Sequence, residues 1–460
     1  MVTAEAAPFA KTGGLADVLG ALPQALAQLG DEVVVVLPLY DVARLPVAER
    51  IWHAAPLVLG PHRYTAAIDQ VVSGGVRYLF VDCPPLFARG EVYGSFGDNH
   101  LRFGVLDLAA IHLARHIFRP DIFHGHDWPA GLLPVFLREN HRDDPAFFGT
   151  KTVLTIHNLG YQGNFPAHTV SDLGLDRRLF QSEGLEFWGQ LSFMKAAIVW
   201  SDAITTVSPT YAQEIQTPEY GYSMDGLLRP RASKLTGILN GADYTEWSPE
   251  TDPHLIHRYS SRDLSGKRAS KKALLAELGL PVNLDRLLIG IVSRLVDQKG
   301  FDLITGIAKD LTLEDVSLVV LGSGEARFEE MFREFAADYP DTFAAHIGYD
   351  DGLAHRIEAG ADALLMPSRY EPCGLSQLYS LRYGTVPIVR ATGGLEDTVD
   401  ETTGFKFRDY SPSALLAAVR AAIKAWRDQA SWQARMRLGM AKDFSWTASA
   451  REYQKLYRSL

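Results

Sequence analysis

The chain has little cysteine, no surplus of basic residues and no long apolar run. Its 460 residues include two cysteines, Cys83 and Cys373. Two cysteines build neither a disulfide framework nor a thiolate metal cluster, and they point to a reducing compartment. Lys and Arg number 45 against 55 Asp and Glu, a formal net charge of −10. No Lys/Arg run supplies the basic face of a nucleic-acid binder. A neutral or small anionic substrate, held by a few local cations, fits this balance better. No apolar run reaches the ~18 residues of a membrane span. Glu5 falls early and no cation precedes an apolar stretch, which argues against a signal peptide. A cytoplasmic protein with neither nucleic-acid nor membrane partners is expected. Low-complexity tracts and repeats of solenoid period are also missing. The composition is that of an ordinary globular protein, 47% hydrophobic and 22% charged. The length exceeds one ordinary core and predicts two or three domains.

Apolar periodicity sets the organisation. Leu15, Leu19, Leu22, Leu26 and Leu29 fall on one helical face, and Gly30 ends that helix. Short buried strands are predicted at Val33–Leu37, Arg77–Val81, Ile122–His124, Thr152–His157 and Ala203–Val207. Helical stretches such as Leu101–Phe118 lie between them. The pattern pauses near Asn240-Gly241-Ala242-Asp243. It resumes with Leu287–Ser293, Ser317–Leu321, Ala363–Pro367 and Val386–Val389. Strands alternating with helices predict an α/β fold with parallel, doubly wound sheets. The predicted domains are 1–238, 239–442 and a C-terminal helix, 443–460, that crosses back to the first. Only Met1-Val2-Thr3-Ala4 precede Glu5, where a central first strand usually holds about five residues. The expectation is a first strand clipped short by truncation or by an assigned start codon, with a looser turn at Lys11 as the consequence.

Two glycine-rich turns of similar make stand at opposite ends, Lys11-Thr12-Gly13-Gly14-Leu15 and Thr392-Gly393-Gly394-Leu395. Without a Cβ, glycine lets the backbone come close to a ligand, and helix N-terminal amides attract anions. One such turn in each half suggests two nucleotide-fold domains facing one cleft. Between them, the strand Leu287–Ser293 delivers Arg294, and Lys299 is expected to open the next helix. Ligands of open α/β sheets bind beyond the carboxyl ends of the strands. Two cations five residues apart there suit a diphosphate; the competing reading is two solvated surface charges.

The loop Pro367-Ser368-Arg369-Tyr370-Glu371-Pro372-Cys373-Gly374-Leu375 leads into a helix at Ser376–Tyr383. Glu371 suits either binding of sugar hydroxyls or simple helix capping. Cys373 has no neighbouring base and reads as a packing residue. In the first half, His124-Gly125-His126-Asp127-Trp128 and His157-Asn158 each follow a strand. A zinc reading of the first run needs further ligands at suitable spacing, and none is evident. Trp128 suits sugar stacking or a partly buried core position. Gly322-Ser323-Gly324 is not a full G-x-G-x-x-G and is weak support for a dinucleotide.

Taken in order, Lys11–Leu15 with Ala16-Asp17, His126-Asp127-Trp128, Thr155-Ile156-His157-Asn158-Leu159, Asn240-Gly241, Ser293-Arg294, Gln298-Lys299-Gly300, Ser368–Leu375 and Thr392–Leu395 resemble the bacterial glycogen synthase and plant starch synthase family. These matches span nearly the whole chain. The resemblance implies a GT-B fold, two Rossmann-like domains about a central cleft, and retaining transfer of glucose from ADP-glucose to the non-reducing 4-OH of an α-1,4-glucan such as glycogen or a maltooligosaccharide. It implies no cofactor and no metal. By resemblance, Arg294 and Lys299 neutralise the donor diphosphate, and Lys11 with Gly13-Gly14 reaches the same group when the cleft closes. His157 sits beside the transferred glucose, where its carbonyl stabilises positive charge at C1. Glu371 and the amides of Cys373, Gly374 and Leu375 hold the glucose. Tyr349 stacks on adenine, and the Thr392-Gly393-Gly394 turn brings backbone near the donor. Asp17, His126, Asp127, Trp128, Asn158 and Asn240 lie on the acceptor side.

One departure concerns the wider group of retaining GT-B transferases, which often carries a second Glu eight positions after the first. Here that position is Tyr379, as in the synthase family. Three other readings compete. A GT-B transferase for another donor or acceptor would lack the Lys11–Leu15 turn. An NAD-dependent oxidoreductase would want a full glycine fingerprint. A non-catalytic glucan binder would not need Arg294, Lys299 and Glu371 together.

Overall fold

The computed structural model describes residues 1–43 and 45–460. The chain forms two units, Met1–Asn240 with Trp446–Leu460, and Gly241–Ser445.

In the first unit the strands are β1 (Val34–Pro38), β2 (Glu49–Leu59), β3 (His62–Ser73), β4 (Val76–Asp82), β5 (Ile122–His126), β6 (Lys151–Ile156), β7 (Asn164–Pro166), β8 (Glu186–Phe187), β9 (Gln190–Ser192), β10 (Ala203–Thr206) and β11 (Leu235–Gly237). They pair in the orders β1-β4-β3-β2 and β11-β10-β6-β5, with β7-β9-β8 as a small separate patch. Val2 joins the two larger groups by parallel bridges to Val36 and Gly125. Its amide donates to the His124 carbonyl at 2.9 Å, and its own carbonyl accepts from His126 N at 3.0 Å. Val2 thus bridges the two groups at the place a central strand would take, as isolated pairs rather than as a strand.

β1 is buried along its whole length, as a parallel strand covered on both faces must be. The predicted strands of this half are present within a residue or two. The β2–β3 hairpin is an addition: its antiparallel pairing makes the far edge of the sheet mixed rather than purely parallel. The helix Gly14–Gln28 buries Leu15, Leu19, Leu22 and Leu26, and Gly30 at φ 98° follows its end. The final helix begins at Trp446 and places Trp446, Ala450 and Tyr453 in the same apolar cluster as that first helix.

The second unit carries β12 (Leu287–Val292), β13 (Val316–Gly322), β14 (Phe343–Ile347), β15 (Ala363–Met366), β16 (Val386–Arg390) and β17 (Phe405–Phe407). All pair in parallel, in the order β14-β13-β12-β15-β16-β17. In chain sequence this is the 3-2-1-4-5-6 order of a dinucleotide-fold sheet, whose ligand crevice opens where the order reverses, beyond β12 and β15.

A buried ion pair ties this unit together. Lys271, on the helix Ser265–Glu277, meets Asp362 at 2.6 Å, with side chains 3% and 9% exposed. Lys271 also donates to the carbonyls of Leu284 and Arg286, and Asp362 accepts from Leu288 N at 2.8 Å. The pair therefore fixes the helix to the starts of β12 and β15. Asp362→Ala strands a buried ammonium and is expected to cost about 3–5 kcal/mol. Urea unfolding of the full chain checks this, and a loss under ~1 kcal/mol would show the site to be solvated.

Candidate active site

The topology of the second unit brings its chemistry together at the reversal point. Arg294 follows β12 and Glu371 follows β15. Lys299 does not open a helix as expected. It ends a 3₁₀ turn, Asp297–Lys299, and Gly300 then adopts a left-handed φ of 73° before the helix Phe301–Leu311. A Cβ on Gly300 would stand 2.0 Å from the Pro367 carbonyl, so the loops after β12 and β15 press together at a glycine. Across that contact Lys299 Nζ meets Glu371 Oε2 at 2.6 Å. Ser368 Oγ donates to the same oxygen at 3.0 Å, and Arg369 N donates to the Gln298 carbonyl at 2.9 Å. The Arg294 side chain is exposed and has no ion pair among the described residues.

The Thr392 turn packs beneath this loop. Gly393 has φ 46°, and a Cβ there would lie 1.9 Å from the Glu371 carbonyl; one on Gly394 would lie 2.1 Å from that of Cys373. Gly394 N donates to the Glu371 carbonyl at 3.1 Å. Cys373 is a buried free thiol, consistent with packing. Gln377 donates to the carbonyls of Cys373 and Gly374 at 3.0 Å each, just past Leu375, which caps the helix Ser376–Arg382. Tyr349 presents a ring that is 82% exposed, with its hydroxyl 3.3 Å from Asp351. Tyr379, where related transferases carry a second acid, instead stacks on Trp247 with ring centroids 4.1 Å apart.

In the first unit, the Lys11 turn is not loose. Buried Glu5 accepts from Thr12 N at 2.6 Å, Gly13 N at 3.2 Å and Thr12 Oγ1 at 2.9 Å. Tyr93 donates to its other oxygen at 2.7 Å. Composition gave no sign of this role, which depends on a tyrosine 88 residues away. Lys11 reaches Asp17 at 2.6 Å. A Cβ at Gly13 or Gly14 would meet nothing within 4 Å, the opposite of Gly393 and Gly394. A cavity of about 620 Å³ lies beside the turn, lined in part by Lys11, Thr12 and Tyr93.

The histidines stack along the carboxyl ends of β5 and β6. His124 and His126 have ring centroids 4.1 Å apart, and His126 Nδ1 lies 3.0 Å from His157 Nε2. One of that last pair donates and the other accepts, so each ring fixes the other's tautomer. His124 is occupied by Thr155 and Tyr457. Burial holds His124 and His126 well below the ordinary value and lowers His157 to about 3. Asp127 has an unusual φ of 55°, a strained setting for a residue with a Cβ. Its Oδ1 accepts from His157 N at 2.7 Å, so it shapes the His157 backbone. Burial raises its pKa to about 7 against the pull of the His157 and Asn158 amides. Trp128 sits edge-on to Phe103 at 4.8 Å within an aromatic cluster, so it is a packing residue on that side. Asn158 Oδ1 accepts from Gly160 N. Asn240 is buried, and its Oδ1 has no hydrogen-bond partner among the described residues.

The neutral histidines set a pH dependence. A folded-state pKa of about 3 for His157 against 6.5 ordinarily means that unfolding takes up a proton in acid. Stability is whole above pH ~6.5 and lost as pH falls towards the folded value. His157→Asn is expected to make unfolding free energy fall less steeply between pH ~6.5 and ~4, by up to about 1.4 kcal/mol per pH unit. Denaturant titrations across that range check it; an unchanged slope would refute the buried neutral state.

Comparison with known proteins gives a consistent result. Residues 1–230 match the starch synthase catalytic domain, and residues 279–438 match the glycosyl transferases group 1. A glycogen synthase of Anaeromyxobacter sp. (strain Fw109-5) is 52% identical over 473 residues, covering 100% of this chain and 98% of that protein. One of Koribacter versatilis (strain Ellin345) is 47% identical, covering 98% and 96%. The catalytic domain of starch synthase IV from Arabidopsis thaliana, bound to ADP and acarbose, superposes with a TM-score of 0.91 at 32% identity, over 100% of this chain and 98% of that one. Sucrose-phosphate synthase from Thermosynechococcus elongatus shares the fold alone, with a TM-score of 0.62 at 19% identity over 97% and 94% of the chains. Half-identity along the full length, joined to a GT-B fold, leaves one conclusion: the chain belongs to the glycogen and starch synthase family of retaining glycosyltransferases.

Proposed function

We propose that the protein transfers glucose from ADP-glucose to the non-reducing 4-OH of an α-1,4-glucan, with retention at C1. The observation that carries this reading is the Lys299–Glu371 contact of 2.6 Å where the strand order reverses. It couples a cation suited to phosphate to a carboxylate suited to sugar hydroxyls, with exposed Arg294 on the same loop.

The roles follow from charge. When the C1–O bond breaks, negative charge grows on the departing diphosphate. Arg294 and Lys299 face that change and stabilise the transition state more than the bound substrate. Glu371 orients the glucose and keeps Lys299 in place. Tyr349 offers its exposed face to adenine, and the amides of Cys373, Gly374 and Leu375 meet the sugar. Lys11 with the open Gly13-Gly14 turn adds positive charge from the first unit. Asp17, His126, Asp127, Trp128, Asn158 and Asn240 serve the acceptor side.

A pKa of about 3 makes His157 too weak a base to take a proton at neutral pH. The proton of the acceptor 4-OH therefore goes to the leaving phosphate oxygen as the new C1–O4 bond forms on the same face. His157 contributes its backbone carbonyl and a neutral ring to the glucose. With the guanidinium and ammonium groups supplying the positive charge, transfer is proposed to need no metal ion.

Three measurements test the reading. Lys299→Ala and Arg294→Ala are each expected to lower turnover by about 10² or more, the cost of one charge-stabilising group, with circular dichroism unchanged. Near wild-type turnover in either variant would remove the assigned role. Glucose transfer to glycogen is expected from ADP-glucose in preference to UDP-glucose, with an α-1,4 linkage by NMR. This activity should survive exhaustive EDTA treatment; a preference for UDP-glucose, or a loss restored only by metal, would overturn the donor or the metal assignment respectively.

A further inference from the structure

The second unit holds a set of ligating side chains that the transfer reaction does not use. His254, Asp351 and His355 each offer one ligand atom, and all of these atoms lie within 4.8 Å of one another. Asp351 and His355 are one helical turn apart on the helix Asp351–Gly360, so they share a face. His254 comes from the loop about 100 residues earlier.

The state of His355 is the informative part. The residue is 1% exposed. Its Nδ1 lies 2.8 Å from Asp252 Oδ2. Asp252 also accepts from Tyr383 Oη and, through Oδ1, from His254 N at 2.8 Å. Against the opposing effect of burial, the hydrogen bonds from His355, Tyr383 and His254 N hold the Asp252 carboxyl below its ordinary value, and an ionised carboxylate only accepts, so Nδ1 of His355 is the donor. Nε2 is buried without a hydrogen-bond partner among the described residues, and in the Nδ1–H tautomer it is the nitrogen that carries the lone pair. A buried unpaired acceptor is costly. Trp247 stacks on the same ring at 3.7 Å and 12°, which fixes its plane. A histidine with one nitrogen donating to a carboxylate and the other presented as a lone pair is the arrangement that orients an imidazole towards a metal ion.

We propose that His254, Asp351 and His355 form a binding site for one divalent transition-metal ion of the zinc class, with Asp252 as the orienting carboxylate. Two imidazoles and a carboxylate suit zinc rather than magnesium or calcium. Three protein ligands leave a fourth position to solvent. Tetrahedral zinc spaces its ligand atoms about 3.4 Å apart at bonds of about 2.1 Å. The His254–Asp351 separation of 4.0 Å closes by rotation of two exposed side chains onto the rigid His355. The neighbouring Arg356 does not oppose this, because Glu277 holds its guanidinium through contacts of 2.9 and 2.7 Å. An ion here clamps the 252–254 loop to the helix that begins two residues after Tyr349. It is not a participant in glucose transfer.

The test uses the full chain stripped with EDTA. Titration with Co²⁺ is expected to saturate one site and give the visible absorption bands of a four-coordinate nitrogen and oxygen ligand set. Zn²⁺ should displace the bands, and Mg²⁺ should not. Zn²⁺ should also raise the unfolding temperature of the wild type. His254→Ala and Asp351→Ala, both at exposed positions, are expected to weaken Co²⁺ binding by at least tenfold and to abolish the thermal shift while retaining the fold. His355→Gln should do the same if it folds. Absence of the Co²⁺ bands in the wild type, or their persistence in both exposed-residue variants, would overturn the site. The latter result would assign the bands to other histidines, such as the neighbouring rings of His112 and His116.

Discussion

A carboxylate taken out of water has to be paired or hydrogen-bonded, and Glu371, 6% exposed, meets that demand through Lys299 and Ser368. Much of the second unit follows from this requirement. For Lys299 to reach Glu371, the loops after β12 and β15 have to touch, and they touch at Gly300 because a side chain there would collide with the Pro367 carbonyl. For the Glu371 loop to hold its course, the Thr392 turn has to fit beneath it, which Gly393 and Gly394 allow. The parallel 3-2-1-4-5-6 strand order is what makes β12 and β15 neighbours in the first place. The ion pair, the two glycine contacts and the topology are one construction.

The first unit meets a similar constraint differently. Its chemistry-bearing residues also gather at strand carboxyl ends, but they are deeply desolvated and carry little charge. His124, His126 and His157 are neutral, and Asp127 spends its acceptor capacity on the backbone of His157 and Asn158. Glu5, Lys11 and Asp17 are the exceptions: Glu5 uses its charge to hold the Lys11 turn, and Lys11 and Asp17 form a partly exposed ion pair. Neutral hydrogen-bonding groups suit an uncharged glucan, while the cations of the second unit suit a diphosphate. The proposed division between an acceptor side and a donor side therefore rests on charge.

Local signals made part of this readable. Val33–Leu37 and Leu287–Val292 are unbroken apolar runs, and such runs have few structural outcomes. Arg294 and Glu371 stand in the loops that follow β12 and β15, so their placement at a sheet's carboxyl edge was legible. Other features had weak or misleading local signals. In β2 buried and exposed residues alternate only from Ala55 to Leu59, and the first half of the strand has no such alternation, with register shifts near Trp52. Lys299 looks like the first residue of a helix until the left-handed Gly300 is seen. The two glycine turns read alike, yet Gly13-Gly14 stands in open surroundings and Gly393-Gly394 is packed against backbone.

By itself the sequence determined the α/β class, the motif order and the identity of the residues at the strand ends, because hydrophobic periodicity and short motifs are local properties of the chain. Only the tertiary structure decided which of those residues meet. Glu5 reaches Tyr93 and Thr12, Lys299 reaches Glu371, and His355 is oriented by Asp252 and stacked by Trp247 across separations of about 7 to 108 residues. Burial, which lowers the pKa of His157 and raises that of Asp127 and leaves His355 Nε2 without a partner among the described residues, is likewise a sum over neighbours distant in sequence. No local pattern encodes that sum.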